Sequence, residues 1–520
     1  MALLARLTAT VTALVLALAL SGCGGGGGGG ATSVPVPAPP TPTPTYFDST
    51  VYSTDAGASL GQANELAAVT QHQIVVNGTP LAYTATTGHL TARNPTTGAA
   101  DASFFYVAYT LANRDPATRP LTFFYNGGPG SATVWLHLGS FGPKRLATGD
   151  PSTSTPMPFP LVDNAETLLD ISDLVFVDAV GTGLSEAIGP NTNQSFWGVD
   201  ADAAVFRDFV VRYLAANQRG SSPLFLFGES YGTTRTGVLA FLLELAGLHV
   251  NGVVLQSSVL NYNAFCDVQI SCAGFVPTYG TIGAYYNLDR PNPADADLPA
   301  FVTQMRAFTT TAYDPAIAQF LTAGAAPTAS LLNQLSNTTG MSAANWQTHF
   351  NLAPDFYRAN LLPGVLIGRY DARMSAPFGS PLASEGDPSS TFITASFAIA
   401  LGTYLTSELQ YTNPSTYITL SNAIATWNFS HSGLALPDVI PDLAAALAQN
   451  PRLQVIALNG YHDVATPFFQ TERDLARLGN VPNLQTTFYR GGHMTYLDDA
   501  SRAAEKADLV QFFQRAVAPH

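Results

Sequence analysis

Leu224-Phe225-Leu226-Phe227-Gly228-Glu229-Ser230-Tyr231-Gly232 runs from an apolar stretch into a serine flanked by glycines. Four consecutive apolar residues ahead of the turn read as a buried strand. Behind it, Val238, Leu239, Leu242 and Leu245 recur at helical spacing over residues 234–245. A serine in a strained strand-to-helix turn presents its hydroxyl above a sheet, and Gly228 and Gly232 leave room for strand and helix to cross closely. The bare pattern Gly-x-Ser-x-Gly is weak evidence, because Gly57-Ala58-Ser59-Leu60-Gly61 matches it as well. Ser59 follows a polar linker and has no strand before it, so context selects Ser230.

Outward from this turn the chain alternates short apolar runs with helical patterns, which predicts a sheet covered by helices. Residues 73–76, 104–111, 121–125, 174–177, 253–256 and 454–458 read as further strands, mostly ending in Gly, Asp or Asn. Between Leu260 and about Asn422 that rhythm fails, and Pro, Gly, Ala and aromatic residues dominate. The expected organisation is an α/β core at 46–259 and 423–520, with 260–422 inserted as a mainly helical cap.

A serine hydroxyl is a poor nucleophile until a base takes its proton, so a histidine and an orienting carboxylate are required. The α/β-hydrolase fold, a sandwich around a central, mostly parallel sheet, places them in the chain order Ser, acid, His. Asp463 lies just past the strand at 454–458, where the acid loop belongs. Beyond it only His493 and the terminal His520 remain. Ser230, Asp463 and His493 are therefore the expected triad. A second arrangement is open, with His462 as base paired to Asp438 or Asp442. His137 and His431 read as packing or hydrogen-bonded residues. With no HExxH and no Cys/His cluster, neither a metal nor a cofactor is expected.

The 520-residue chain has 22 Lys and Arg against 36 Asp and Glu, a formal charge of −14, and only Lys144 and Lys506 as lysines. No basic stripe exists for phosphates, so nucleic acid is excluded as a partner. Residues 1–22 read as an export signal, with Arg6 ahead of an apolar stretch too short to span a membrane. Leu20-Ser21-Gly22-Cys23 resembles a lipobox, which implies lipidation at Cys23 and an envelope lipoprotein touching the membrane only through that anchor. An ordinary secretory signal with an incidental cysteine is the alternative. Gly24–Gly30 and the Pro-rich stretch after it form a tether over 23–45. Export would allow Cys266 and Cys272 to pair as a disulfide; two buried thiols are the other reading.

Five ordered motifs carry a family resemblance. Asn126-Gly127-Gly128-Pro129-Gly130-Ser131, Asp178 with Gly181-Thr182-Gly183-Leu184-Ser185, the Ser230 turn, Asp463, and Gly492-His493-Met494 together resemble the serine carboxypeptidases. Ile367-Gly368-Arg369-Tyr370-Asp371-Ala372-Arg373 and the run from Asp463 to Phe468 are similar to bacterial members. The resemblance implies removal of C-terminal residues from peptides through an acyl-enzyme on Ser230, with the amides of Gly128 and Tyr231 as oxyanion hole. It also implies that Asn126 and a protonated Glu229 hold the substrate's terminal carboxylate. Ser140 stands where the family's type members carry a second glutamic acid, and Ser131 where they carry a disulfide-bonded cysteine. An acidic optimum is therefore not implied. An esterase or acyltransferase with the same triad, or a non-catalytic envelope lipoprotein, are the competing readings.

Overall fold

Each side chain of Leu224–Glu229 is buried, and alternate residues serve opposite cores: Phe225 and Phe227 on one face of the sheet, Leu224 and Leu226 on the other. That is the period-two pattern of a strand covered on both faces. The computed structural model describes residues 45–149, 158–288 and 297–518. The expected signal, Cys23, the tether up to residue 44 and His520 lie outside the described residues.

The main sheet has ten strands. Nine are labelled here in chain order: β1 Ala67–Val76, β2 Thr79–Arg93, β3 Ala100–Leu111, β4 Leu121–Tyr125, β5 Asp173–Val177, β6 Leu224–Glu229, β7 Val250–Gln256, β8 Gln454–Gly460 and β9 Leu484–Tyr489. Their spatial order is β9-β8-β7-β6-β4-β5-β3-β2-β1, and Glu186–Ala187 pairs with β3 at its side. The six strands from β9 to β5 run parallel, whereas β5-β3, β3-β2 and β2-β1 are antiparallel. The sheet is thus mixed, and its parallel part carries the α/β-hydrolase order.

Two of the nine labelled strands, and the short Glu186–Ala187, escape the sequence reading. β2 is rich in Thr and Ala and contains Gly88, so it lacks the apolar run used to find its neighbours. β9 is an edge strand with five half-buried residues, and its burial pattern shows no alternation.

Helices α1 Val134–Gly139, α2 Val199–Ala216 and α3 Tyr231–Leu245 follow β4, precede β6 and follow β6. α2 and α3 contribute Phe206, Phe209, Leu239 and Leu243 to the core that includes Leu224 and Leu226. Between β7 and β8 the described residues make no strand of the main sheet. It forms helices from Val276–Tyr285 to Pro388–Ser407 and a small antiparallel ribbon of Val365–Ile367 with Ser375–Pro377. Part of this segment packs Tyr279, Trp346 and Tyr357 into a third core, which reaches Tyr461, Val464 and Phe468 beyond β8.

Register places the site. Glu229 is paired with Gln256, Gly228 with Tyr125, and Gln256 with Leu458. The carboxyl ends of β4, β6, β7 and β8 therefore lie in one row, the edge where such sheets place their chemistry.

Candidate active site

Ser230 stands between β6 and α3 with φ 59° and ψ −128°. A non-glycine residue in that region carries about 1–3 kcal/mol of strain. Its surroundings hold it there. The Ser230 N–H donates to Gln256 O at 3.0 Å, and its carbonyl accepts from Thr233 N at 2.8 Å and Thr233 Oγ1 at 2.7 Å. A Cβ on Gly228 would lie 2.3 Å from the Gly232 carbonyl oxygen, so only glycine permits this crossing. Ser59 has no such setting: it is exposed, and its hydroxyl donates to Asn191 O at 2.6 Å.

The structure brings Asp463 and His493 together. His493 Nδ1 lies 2.8 Å from Asp463 Oδ2, with both side chains almost fully buried. Asp463 Oδ1 accepts from the N–H groups of Ala465 at 2.7 Å and Thr466 at 3.0 Å, and Oδ2 also accepts from Thr466 Oγ1 at 2.7 Å. Such a carboxylate suits an acceptor-only role. The His493 carbonyl accepts from Ser257 Oγ at 2.6 Å and Gln256 Nε2 at 3.3 Å, which ties the histidine loop to β7. Burial disfavours charge on His493, but Asp463 outweighs it and the pKa is raised.

The second arrangement does not form. His462 Nδ1 contacts Arg490 O at 2.7 Å, while Asp438 pairs with Arg477 and Asp442 with His431. His137 is buried against Tyr109 and Phe176, and burial pushes its pKa down to about 3. His431 sits between Asp200 and Asp442.

Ser230 and His493 line a cleft of about 630 Å³ whose floor includes Asn126, Gly128 and Glu229. The loop after β4 presses on the turn after β6. A Cβ on Gly127 would lie 2.4 Å from Tyr231 N, and Gly128 adopts φ +99°. Tyr231 opens α3, so its N–H is one of those a helix leaves without an internal acceptor.

Glu229 is buried, and its two oxygens accept from Asn126 Nδ2 at 2.7 Å and Tyr496 Oη at 2.6 Å. Desolvation pushes its pKa up to about 7, although the neighbouring His493 opposes this. Ser140 is not brought to this group. It is fully buried, its hydroxyl donates to Leu136 O at 2.6 Å at the end of α1, and it is absent from the cleft wall. Cys266 and Cys272 form a disulfide at the entrance to the helical segment. Among the described residues no cluster of His, Cys, Asp or Glu is arranged to hold a metal.

Tyr496, Thr466 and Gln256 join the site without having been picked out from the sequence. Tyr496 lies 267 residues from Glu229, and nothing near it in sequence announces the contact.

Residues 77–243 match the family model described as serine carboxypeptidase. The match spans Asn126, Gly128 and the Ser230 turn but stops short of Asp463 and His493. Among solved structures, the chain is similar to Kex1, a prohormone-processing carboxypeptidase from Saccharomyces cerevisiae. Identity is 15%, coverage is 82% of this chain and 91% of that one, and the TM-score is 0.50. It also matches a proline iminopeptidase from Mycobacterium smegmatis at 15% identity, covering 83% and 99%, with a TM-score of 0.36. A soluble variant of monoglyceride lipase from Saccharomyces cerevisiae matches at 12% identity, covering 80% and 93%, with a TM-score of 0.34. Family match and fold together support a hydrolase.

Proposed function

We propose that this chain, serine carboxypeptidase-like by its family match and an α/β-hydrolase by its fold, removes C-terminal residues from peptides through an acyl-enzyme on Ser230. The observation that carries the reading is Glu229. A carboxyl next to the strained serine, buried between Asn126 and Tyr496 with its pKa near 7, is an acid able to donate a proton to a substrate carboxylate. A serine esterase has no need of such a group.

In this mechanism His493 takes the Ser230 proton as the serine oxygen attacks the scissile carbonyl carbon. Asp463 holds the opposite ring nitrogen and stabilises the imidazolium. The oxyanion is received by the N–H groups of Gly128 and Tyr231, which removes charge from solvent without reorganisation. His493 then protonates the leaving amine, and a water activated by the same histidine releases the acyl group. Asn126 and neutral Glu229 fix the terminal carboxylate, so that the last peptide bond lies over Ser230. We also read the chain as exported and anchored through Cys23, which mass spectrometry of the mature N-terminus would test.

The deciding assay uses a blocked dipeptide with a free carboxylate and the same dipeptide as its amide. The acid is hydrolysed and the amide is not. Equal turnover of both, or turnover of simple esters alone, would sink the carboxypeptidase reading in favour of an esterase or acyltransferase. A fluorophosphonate probe should label the parent protein and leave Ser230→Ala unlabelled.

A further inference from the structure

The turn of the ribbon formed by Val365–Ile367 and Ser375–Pro377 enters the cleft at Arg369 and Tyr370. Its backbone is pinned. Arg369 N–H donates to Asp387 Oδ1 at 2.9 Å, and its carbonyl accepts from Val464 N–H at 3.0 Å. The Tyr370 carbonyl accepts the His493 N–H, and Ala372 N–H donates to the His462 carbonyl at 3.0 Å. A Cβ on Gly492 would lie 2.2 Å from Tyr370 O, so the contact with the histidine loop is as close as backbone allows. The position of this turn is therefore fixed relative to Asp463 and His493.

The Arg369 guanidinium is placed differently from the other arginines of this region. Arg373 is neutralised by Asp371 at 2.7 Å and Asp498 at 2.9 Å, and Arg358 by Asp355 at 3.0 Å with Asp387 at 3.9 Å. For Arg369, among the described residues, no carboxylate lies within ion-pairing distance; Glu385, on the same cleft wall, is beyond it. Its Cζ lies 5.8 Å from the centre of the Tyr370 ring, which in turn lies 5.1 Å from the His493 ring. Arg369 is also the only Lys or Arg among the described residues lining the cleft, in a chain with 36 acidic residues against 22 basic ones. Arg369 is exposed, and a planar fork of donors on the cleft wall, left without an acid, is complementary to a carboxylate.

We infer that Arg369 determines specificity by receiving a carboxylate of the substrate, and that the carboxylate is an acidic side chain beside the scissile bond. The inference rests on the peptidase reading above. The side chain is the favoured source because Asn126 and Glu229 already form a separate site suited to the terminal carboxylate.

The test compares free-acid N-acyl dipeptides carrying Glu or Gln at either residue flanking the scissile bond, and p-nitrophenyl esters of N-acetyl-Glu and N-acetyl-Gln, which lack a terminal carboxylate, on the parent, Arg369→Gln and Arg369→Glu. In the parent, Glu substrates should exceed their Gln counterparts in kcat/KM by about tenfold, chiefly through KM, and more at low salt. Arg369→Gln should lose that preference, its kcat/KM on Glu substrates matching that on their Gln counterparts, and Arg369→Glu should favour Gln substrates over Glu. If Arg369→Gln instead weakens every free-acid peptide equally and spares both esters, the receiving role holds with the terminal carboxylate as source. A parent indifferent to Glu against Gln, with Arg369→Gln unchanged on free acids, overturns the inference. So does an equal loss on acidic peptides, neutral peptides and both esters alike, which would mark a structural role. p-Nitrophenyl esters of N-acetyl-Glu and N-acetyl-Gln separate the two readings. Discrimination between the esters without any peptide cleavage would remove the peptidase reading and leave that of Arg369 standing.

Discussion

At the scale of single residues, Glu229 and His493 set opposite pH limits on the proposed reaction. His493 must be neutral to take the serine proton, and its raised pKa moves the rising limb of kcat/KM above the usual imidazole range. Glu229 must be protonated to donate to a carboxylate, so binding of free-acid substrates should fall as pH climbs through about 7. Each group feels the other, so the limbs belong to the pair. Replacing Glu229 by Gln keeps a donor but removes its titration. The Glu229→Gln enzyme should retain the rising limb and lose the fall above neutrality on free-acid peptides. Persistence of that fall in the variant would assign it to some other group. The sequence could place both residues, because each sits in a short motif. It could not say what Glu229 touches: Tyr496 becomes its partner only through the return of the C-terminal segment under the sheet edge, and Ser140, aligned with a family acid, turns its hydroxyl into its own helix.

At the scale of elements, the two Gly-x-Ser-x-Gly runs separate pattern from structure. In Gly228–Gly232 the strand β6 drives directly into α3, and a Cβ at Gly228 would meet Gly232 O at 2.3 Å and Thr236 Oγ1 at 2.4 Å. At Gly57 and Gly61 an added Cβ would meet nothing within 4 Å. Gly228→Ala should therefore cost about 1–3 kcal/mol in unfolding free energy and abolish fluorophosphonate labelling. Gly57→Ala and Gly61→Ala should stay within about 0.5 kcal/mol of the parent and label normally. Denaturant titration and labelling of the three variants make the comparison, and a tolerant Gly228 would contradict the crossing geometry. Context already distinguished the two runs in the sequence, because residues 224–227 of β6 are all apolar. The same criterion missed β2, where Ala85, Thr87, Thr91 and Ala92 are buried by neighbouring strands and not by their own hydrophobicity, and β9, which lies at an edge with no alternation to detect. The ribbon turn at Arg369 was recognised only as a motif. Its closeness to His493 arises from pairing between segments more than 100 residues apart.

At the scale of the whole molecule, buried ionisable groups predict how stability varies with pH. Burial raises Asp178, Glu229 and Asp474 to about 7 and Glu505 to about 8, from ordinary values of 3.8 or 4.5. Each keeps a proton that the unfolded chain releases, so above about pH 4.5 the unfolded state binds fewer protons and stability falls as pH rises. His431, raised to about 9 by its hydrogen bond to Asp442, adds stability that is complete below 6.5 and lost as pH climbs through 9. His89 and His137 work in the other direction. Burial lowers them to about 4 and about 3, so the unfolded chain takes up their protons below 6.5 and stability there rises with pH. Two histidines do not offset four carboxyls across the shared window. Asp48 and Asp498 have lowered pKa values because hydrogen bonds and, for Asp498, Arg373 outweigh their burial, so their contribution is lost as pH falls below about 4. The sum is a stability maximum at about pH 4 and a steady decline towards pH 9. Thermal unfolding across that range should give a lower midpoint at pH 8.5 than at pH 5.5, and an equal or higher one would mean these carboxyls are ionised in the folded protein. The acid form of Glu229 needed to bind a free carboxylate is thus the form in which the fold itself is most stable, and one measurement constrains both.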